Sequence, residues 1–231
     1  MPNLPLLLGH RGARASAHVA ENSFPSFDLC LQHGCDGFEF DLRLTACGRA
    51  LVCHDAKTRG ISVSRATSDE LTDLPRLEDV LGTYGKKAFL DIELKVTNLE
   101  SKTLLALAEN PPECGFVVSS FVANIVTELR GRSGHIPLGI ICEKPAQLAL
   151  WRKLAVEWII PQESLVDESL VGQIHNAGKR ILVWTVNQPA SMLRLAQWGV
   201  DGIISDETAL LVKTLRNPGG EKKLQRSAGN V

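Results

Sequence analysis

Glu39 and Asp41 lie two residues apart in an apolar/acidic alternation, Phe38-Glu39-Phe40-Asp41-Leu42. Side chains alternate faces along a strand, so the two carboxylates share one face. Paired acids repel, and such a face must be wet, protonated or held by a cation. A polar turn from Thr45 to Arg49 follows. Then comes a short apolar run, Ala50 to Cys53, ending in His54-Asp55. A hairpin of this shape carries His54 back toward the strand with the acids. Two further groups stand at the ends of apolar runs: His10-Arg11 after residues 4–8, and Glu93 with Lys95 in the run 88–95. Three carboxylates on two neighbouring strands suit a hard divalent cation with oxygen ligands, Mg²⁺ or Ca²⁺. No Cys or His spacing marks structural zinc. Arg11 and Lys95 either balance the acids or bind the oxygens of a phosphate that also touches the metal. His10 and His54 supply an acid/base pair. Metal, phosphate-binding cations and paired imidazoles together describe phosphodiester cleavage.

Each piece also has an ordinary structural use. Glu93 and Lys95 can form an ion pair, and Glu39 and Asp41 can pair with Arg43 or Lys95. Ser119 and Ser120 end a strand, where hydrogen bonding along the strand end competes with substrate contact by Ser120. Trp184 fits either a core or a platform for an apolar or sugar-like group. Asp206 is placed to cap the last helix. His18, His33, His135 and His175 read as surface or local structure. The ionisable set gathered at strand ends is harder to account for by structure alone.

The elements that position these residues follow from periodicity. Eight apolar strand-like runs occur at 4–8, 37–42, 88–94, 116–120, 137–142, 157–160, 180–186 and 202–205, each with a helical segment after it. Helical patterns include 122–130, 145–155, 167–177 and 207–215. Ser23 is placed to cap a helix whose first turn holds Pro25. The run 50–53 follows the second strand too closely for a crossover helix, so it is a hairpin arm. Eight βα units predict a TIM (β/α)8 barrel, with a short hairpin insertion after strand 2. An open doubly wound sheet would show a glycine-rich first turn, and GHRGAR is not one. The barrel domain is expected over 1–216, with a flexible tail over 217–231. Active sites of such barrels gather at the C-terminal strand ends, where the ionisable residues fall.

Composition narrows the partners. The chain has 231 residues, 44% hydrophobic and 22% charged, with a formal net charge of -1. That balance gives no electrostatic case for nucleic acid or for an anionic membrane surface. The apolar run near the N-terminus is too short for a secretion signal or a membrane span, and no later stretch reaches spanning length. Six cysteines without paired spacing read as reduced thiols, which places the protein in the cytoplasm.

The motifs His10-Arg11-Gly12, Glu21-Asn22-Ser23, Glu39-x-Asp41, Gly48, His54-Asp55, Glu93-Leu94-Lys95, Ser120-Phe121 and Trp184-Thr185-Val186-Asn187 together resemble the glycerophosphodiester phosphodiesterases. The resemblance runs from His10 to about Asp206. It implies a TIM barrel and hydrolysis of small glycerophosphodiesters to glycerol 3-phosphate and an alcohol, with a divalent metal. By position it implies Glu39, Asp41 and Glu93 as metal ligands, and His10 and His54 as the acid/base pair. Arg11 and Lys95 would hold the phosphate, Glu21 would support the site, and Ser120 and Trp184 are substrate-side candidates. Ala20 and Ser23 stand where the family commonly has Pro and Thr, conservative changes for a loop and cap. The segment between His54 and the third strand is short, leaving the alcohol undefined. Alternatives are a lysophospholipase D-type phosphodiesterase and a non-catalytic barrel that binds phosphorylated ligands.

Overall fold

The alternating runs assemble into parallel strands because each is followed by a helix that returns the chain to the same end. The structure is a computed structural model and describes residues 4–67 and 69–216. The barrel strands are β1 (Leu6–Gly9), β2 (Gly37–Leu44), β6 (Phe89–Leu94), β7 (Phe116–Ser120), β8 (Leu138–Cys142), β9 (Trp158–Pro161), β10 (Arg180–Val183) and β11 (Gly202–Ser205). The intervening β3 (Ala50–Val52), β4 (Lys57–Thr58) and β5 (Ile61–Ser62) belong to the insertion. Barrel neighbours are parallel in the order β1-β11-β10-β9-β8-β7-β6-β2, and pairing of β1 with β2 closes the ring. The expected TIM barrel is therefore present, with β3 antiparallel to β2 as the hairpin arm. The segment 217–231, read from the sequence as a tail, lies outside the described residues.

The helices are α1 (Phe24–Gln32), α2 (Leu77–Tyr84), α3 (Glu100–Glu109), α4 (Ala123–Arg132), α5 (Pro145–Leu148), α6 (Glu168–Asn176), α7 (Pro189–Trp198) and α8 (Thr208–Arg216). As its sequence indicates, α1 has Ser23 as cap, with its hydroxyl accepting from the Ser26 amide. Alternation along the strands divides the apolar residues into two cores. Phe38, Phe40, Leu90, Ile92 and Ile140 face outward into the layer under the helices. There Phe27 stacks on Phe38 with ring centroids 4.1 Å apart, and Tyr84 meets Phe38 edge-on. Burying each such side chain contributes about 1.5–3 kcal/mol. Leu8, Phe89, Val117, Trp158, Leu182 and Ile204 plug the barrel interior. Gly37 is required where β2 meets β6, since a Cβ there would lie 1.8 Å from the Phe89 carbonyl oxygen.

One local expectation is corrected. The helix expected over 145–155 is only α5 followed by a 3₁₀ turn, Ala149–Arg152. Only Trp151 is buried across it, so no apolar stripe extends the helix. The stretch after His54 holds the β4–β5 ribbon and a small core of Leu51, Cys53, Val63, Ala66 and Leu71. Strands of two residues are too short to show a period.

Candidate active site

The loop after β1 begins the site. Arg11 has a φ of 54°, an uncommon conformation for a residue with a Cβ. Its amide donates to Glu39 Oε2 (3.0 Å), and its carbonyl accepts from the Asn22 amide and from Ser26 Oγ. These bonds hold the backbone where a relaxed loop would turn away. The guanidinium then lies 3.3 Å from Asp41 Oδ2 and donates to Glu21 at 2.8 Å. Glu21 is a half-exposed brace, gripped by Arg14 as well as Arg11. Asn22 clamps Asp41 from both sides. Its amide nitrogen donates to Asp41 Oδ2 (2.8 Å), and its carbonyl oxygen accepts from the Asp41 backbone (3.3 Å).

β2 and β6 run in register, pairing Glu39 with Asp91 and Asp41 with Glu93. Four acids therefore line adjacent interior positions. Lys95 Nζ bridges them from above, 2.8 Å from Glu93 and 3.2 Å from Asp41. The hairpin does what its sequence indicates: the Cys53 amide donates to the Asp41 carbonyl, bringing His54 to the rim. His54 Nδ1 bonds Asp55 (2.8 Å), and Arg43 Nε holds the His54 carbonyl at 2.6 Å. His10 faces the acids from β1, with Nε2 3.9 Å from Glu39. All of this opens into a cavity of about 240 Å³, whose far wall is Phe121, Ile141, Ile160, Trp184 and Ile204. Trp184 is thus a lining residue; its indole donates to the Ile160 carbonyl at 3.0 Å and its ring meets Phe121 edge-on.

A family model for the glycerophosphoryl diester phosphodiesterase family matches residues 10–115 and 66–210. The chain belongs to this family. It is 28% identical to a glycerophosphodiester phosphodiesterase of Caldanaerobacter subterraneus subsp. tengcongensis, over 93% of this chain and 99% of that one. Among solved structures it is similar to a glycerophosphodiester phosphodiesterase from Parabacteroides distasonis (TM-score 0.81, 23% identity, 94% and 99% of the chains). It is also similar to an Oleispira antarctica phosphodiesterase in complex with the product sn-glycerol-3-phosphate (TM-score 0.81, 22% identity, 93% and 98%). At these identities the structural likeness speaks to the barrel.

In this family member one expected contact is absent. Ser120 is fully buried, donates to the Leu94 carbonyl (2.8 Å) and accepts from the Val122 amide (3.1 Å). Its hydroxyl ties β7 to β6 and does not line the cavity. Asp206 is a second correction. Rather than capping a helix, its carboxylate accepts from His10 Nδ1 (2.7 Å), Asn187 Nδ2 (2.8 Å) and Arg14 Nη1 (3.1 Å). Burial acts to raise its pKa, but the bonds from His10 and Asn187 outweigh that and hold it far below the carboxylate range. An ionised carboxylate only accepts, so Nδ1 carries the His10 proton and Nε2 faces the cavity. Barrel closure pairs Gly9 with Ser205, making the next residues, His10 and Asp206, neighbours. Asp91, two positions before Glu93, is not singled out by the sequence; it accepts from Ser119 Oγ at 2.6 Å beneath the acids.

The acids fit a divalent cation. Glu39, Asp41 and Glu93 are buried and place a carboxylate oxygen each within 4.8 Å of one another. Glu39 Oε1 is buried with no hydrogen-bond partner, so it is a spare oxygen ligand. Burial, reinforced by the neighbouring Asp41 charge, pushes Glu39 well above its ordinary value, and Glu93 up to about 7. Burial pushes Asp91 to about 7 as well. Asp41 goes the other way: burial opposes ionisation, but Lys95, Arg11 and Asn22 keep it low. Without a cation, the folded protein retains protons on Glu93 and Asp91 that the unfolded chain has already released above its ordinary carboxylate range. Metal-free stability therefore falls as pH rises from about 4.5 to about 7. A cation held by the charged acids reverses that loss. Mg²⁺ or Ca²⁺ is expected to raise the melting temperature more at pH 8 than at pH 5 in thermal denaturation. Equal shifts at both pH values would contradict the assignment.

Proposed function

We propose that this family member hydrolyses small glycerophosphodiesters to glycerol 3-phosphate and an alcohol, with a divalent cation at Glu39, Asp41 and Glu93 and with His10 and His54 as the acid/base pair. The observation that carries the reading is the cavity, where both imidazoles and both phosphate-binding cations, Arg11 and Lys95, border the acid cluster. When bound, the cation supplies Lewis-acid polarisation of a non-bridging phosphate oxygen. Arg11 and Lys95 hold the remaining phosphate charge, braced by Glu21 and by Asn22 acting through Asp41. His10 Nε2, nearest the acids, takes the proton from the attacking hydroxyl, which is water or the substrate's own glycerol 2-OH; in the second case the alcohol leaves a cyclic phosphodiester, and a water then opens it to glycerol 3-phosphate. Asp206 fixes the orientation of that imidazole and stabilises the imidazolium that forms. His54, one-third exposed at the rim, gives its proton to the departing alcohol oxygen. Trp184 and the apolar wall shield one substrate arm from water. Six free cysteines accord with a reducing cytoplasmic setting. Among the described residues no helix is long and apolar enough to cross a membrane.

Incubation with glycerophosphocholine, glycerophosphoethanolamine and glycerophosphoglycerol, with Mg²⁺ or Ca²⁺ present, is expected to release glycerol 3-phosphate. Detection by a glycerol-3-phosphate dehydrogenase-coupled assay checks it. No release from any of the three would overturn the reading.

A further inference from the structure

His54 lines the cavity although the strand that carries it points it elsewhere. β3 pairs Val52 with Leu42 and Leu51 with Arg43, and the Cys53 amide reaches the Asp41 carbonyl at 2.9 Å. Phe40, Leu42 and Val52 all belong to the core under the helices. Continued alternation would put His54 on the face of Val52, away from the acids. The chain instead leaves the ladder after Cys53, and residues 54–56 form a bend that turns the imidazole into the cavity. The position of this imidazole therefore depends on whatever holds the bend.

Arg43 is the group in contact with it. Alternation places Arg43 on the face of Glu39 and Asp41, where it could balance the acids, but Asp41 pairs with Arg11 and Lys95. Arg43 Nε instead donates to the His54 carbonyl at 2.6 Å. Among the described residues no other side chain of the barrel strands bonds residues 54–56. The remaining side-chain bonds of the bend are local. His54 Nδ1 meets Asp55, which is itself exposed, and Cys53 Sγ donates to the Asp55 carbonyl at 3.4 Å. Neither ties the bend to the barrel. A charged donor strengthens a bond to a carbonyl, and the planar guanidinium fixes its direction. Arg43 is itself set in β2 by pairing with Leu51. We propose that Arg43 is a positioning residue for His54: its bond to the His54 carbonyl sets the bend, and the bend sets where Nε2 meets the substrate. The acid/base role of His54 rests on the phosphodiesterase reading; its placement by Arg43 does not.

Arg43→Met keeps the stem and removes the donor. It is expected to lower kcat for glycerophosphocholine by about 10- to 100-fold with little change in KM, since misplacing a reacting group by about 1 Å costs on that order. In a His54→Ala background the same substitution should cost less than about twofold, because the group it positions is gone. A full loss in that background, or no loss in the wild-type background, overturns the proposal. Arg43→Lys, which keeps the charge and most of the stem, is a milder change and is expected to lose less than Arg43→Met; an equal or larger loss counts against the proposal. A second measurement needs no turnover. The His54 ring signals in histidine-labelled protein, assigned by their disappearance in His54→Ala, are expected to be sharp in the wild type and broadened by exchange in Arg43→Met. Unaltered line shapes and shifts overturn the proposal. If the signals broaden but the wild type releases no glycerol 3-phosphate, the hydrolytic reading fails and the positioning stands. If diesters are hydrolysed and Arg43→Met changes neither rate nor line shape, the positioning fails and the hydrolytic reading stands.

Discussion

His10→Ala and His54→Ala are each expected to lower kcat/KM for a glycerophosphodiester by about 10²- to 10⁴-fold, the usual worth of a positioned general acid or base. Both ring systems border the cavity, and each already has its Nδ1 committed, to Asp206 and to Asp55, leaving Nε2 for the substrate. The double variant should lose less than the product of the two, because the groups act as a unit. A substrate with an activated leaving group, such as a p-nitrophenyl ester, needs little protonation of its oxygen. It is expected to restore most of the rate in His54→Ala and little in His10→Ala, which identifies His10 as the base. Asp206→Asn removes the negative charge opposite Nδ1 and can present an amide N–H there, which favours the wrong tautomer, and it should depress kcat by more than tenfold with little change in KM. Rescue of His10→Ala instead of His54→Ala would exchange the roles. Near wild-type rates in either single variant would refute the two-histidine mechanism.

Removal of the cation is expected to cost on the order of 10³-fold or more in turnover, since polarising the phosphate is worth several kcal/mol and each 1.36 kcal/mol is tenfold. EDTA should abolish release of glycerol 3-phosphate, and Mg²⁺ or Ca²⁺ should restore it. Glu39→Gln tests the same point from the protein side. Glu39 Oε1 has no partner in the fold and is spare for a metal, while Oε2 accepts the Arg11 amide. The variant should bind the cation more weakly, by calorimetry, yet melt no lower than the wild type in EDTA, because a buried carboxyl that ionises at a cost has been neutralised. Full activity in metal-free protein would sink the metal assignment. Unfolding of the variant in EDTA would show instead that Glu39 is held for structure.

Much of the site was legible in the chain because its determinants are local. Period-two alternation put Glu39 with Asp41 and Glu93 with Lys95 on shared faces, and both pairs meet in the structure. Too few residues between the two apolar runs for a crossover made β3 a hairpin arm, so His54 had to return to the acids. Eight strand–helix repeats specified the barrel, since parallel strands require the intervening helices. The tertiary structure decided what depends on closure and on burial. Asp206 reads as a helix cap along the chain, yet ring closure of β1 on β11 sets it beside His10, 196 residues away. Ser120 reads along the chain as a strand-end hydroxyl that either bonds the strand end or contacts substrate, and the pleat selects the first by turning it into the β6–β7 seam, where two backbone groups use it. Asp91 is one of several acids in sequence. Only its register opposite Glu39 makes it part of a buried cluster whose shared desolvation moves the protons of the whole site. Residue types and local period are carried by the chain itself; which distant groups share one low-dielectric space is fixed only when the barrel closes.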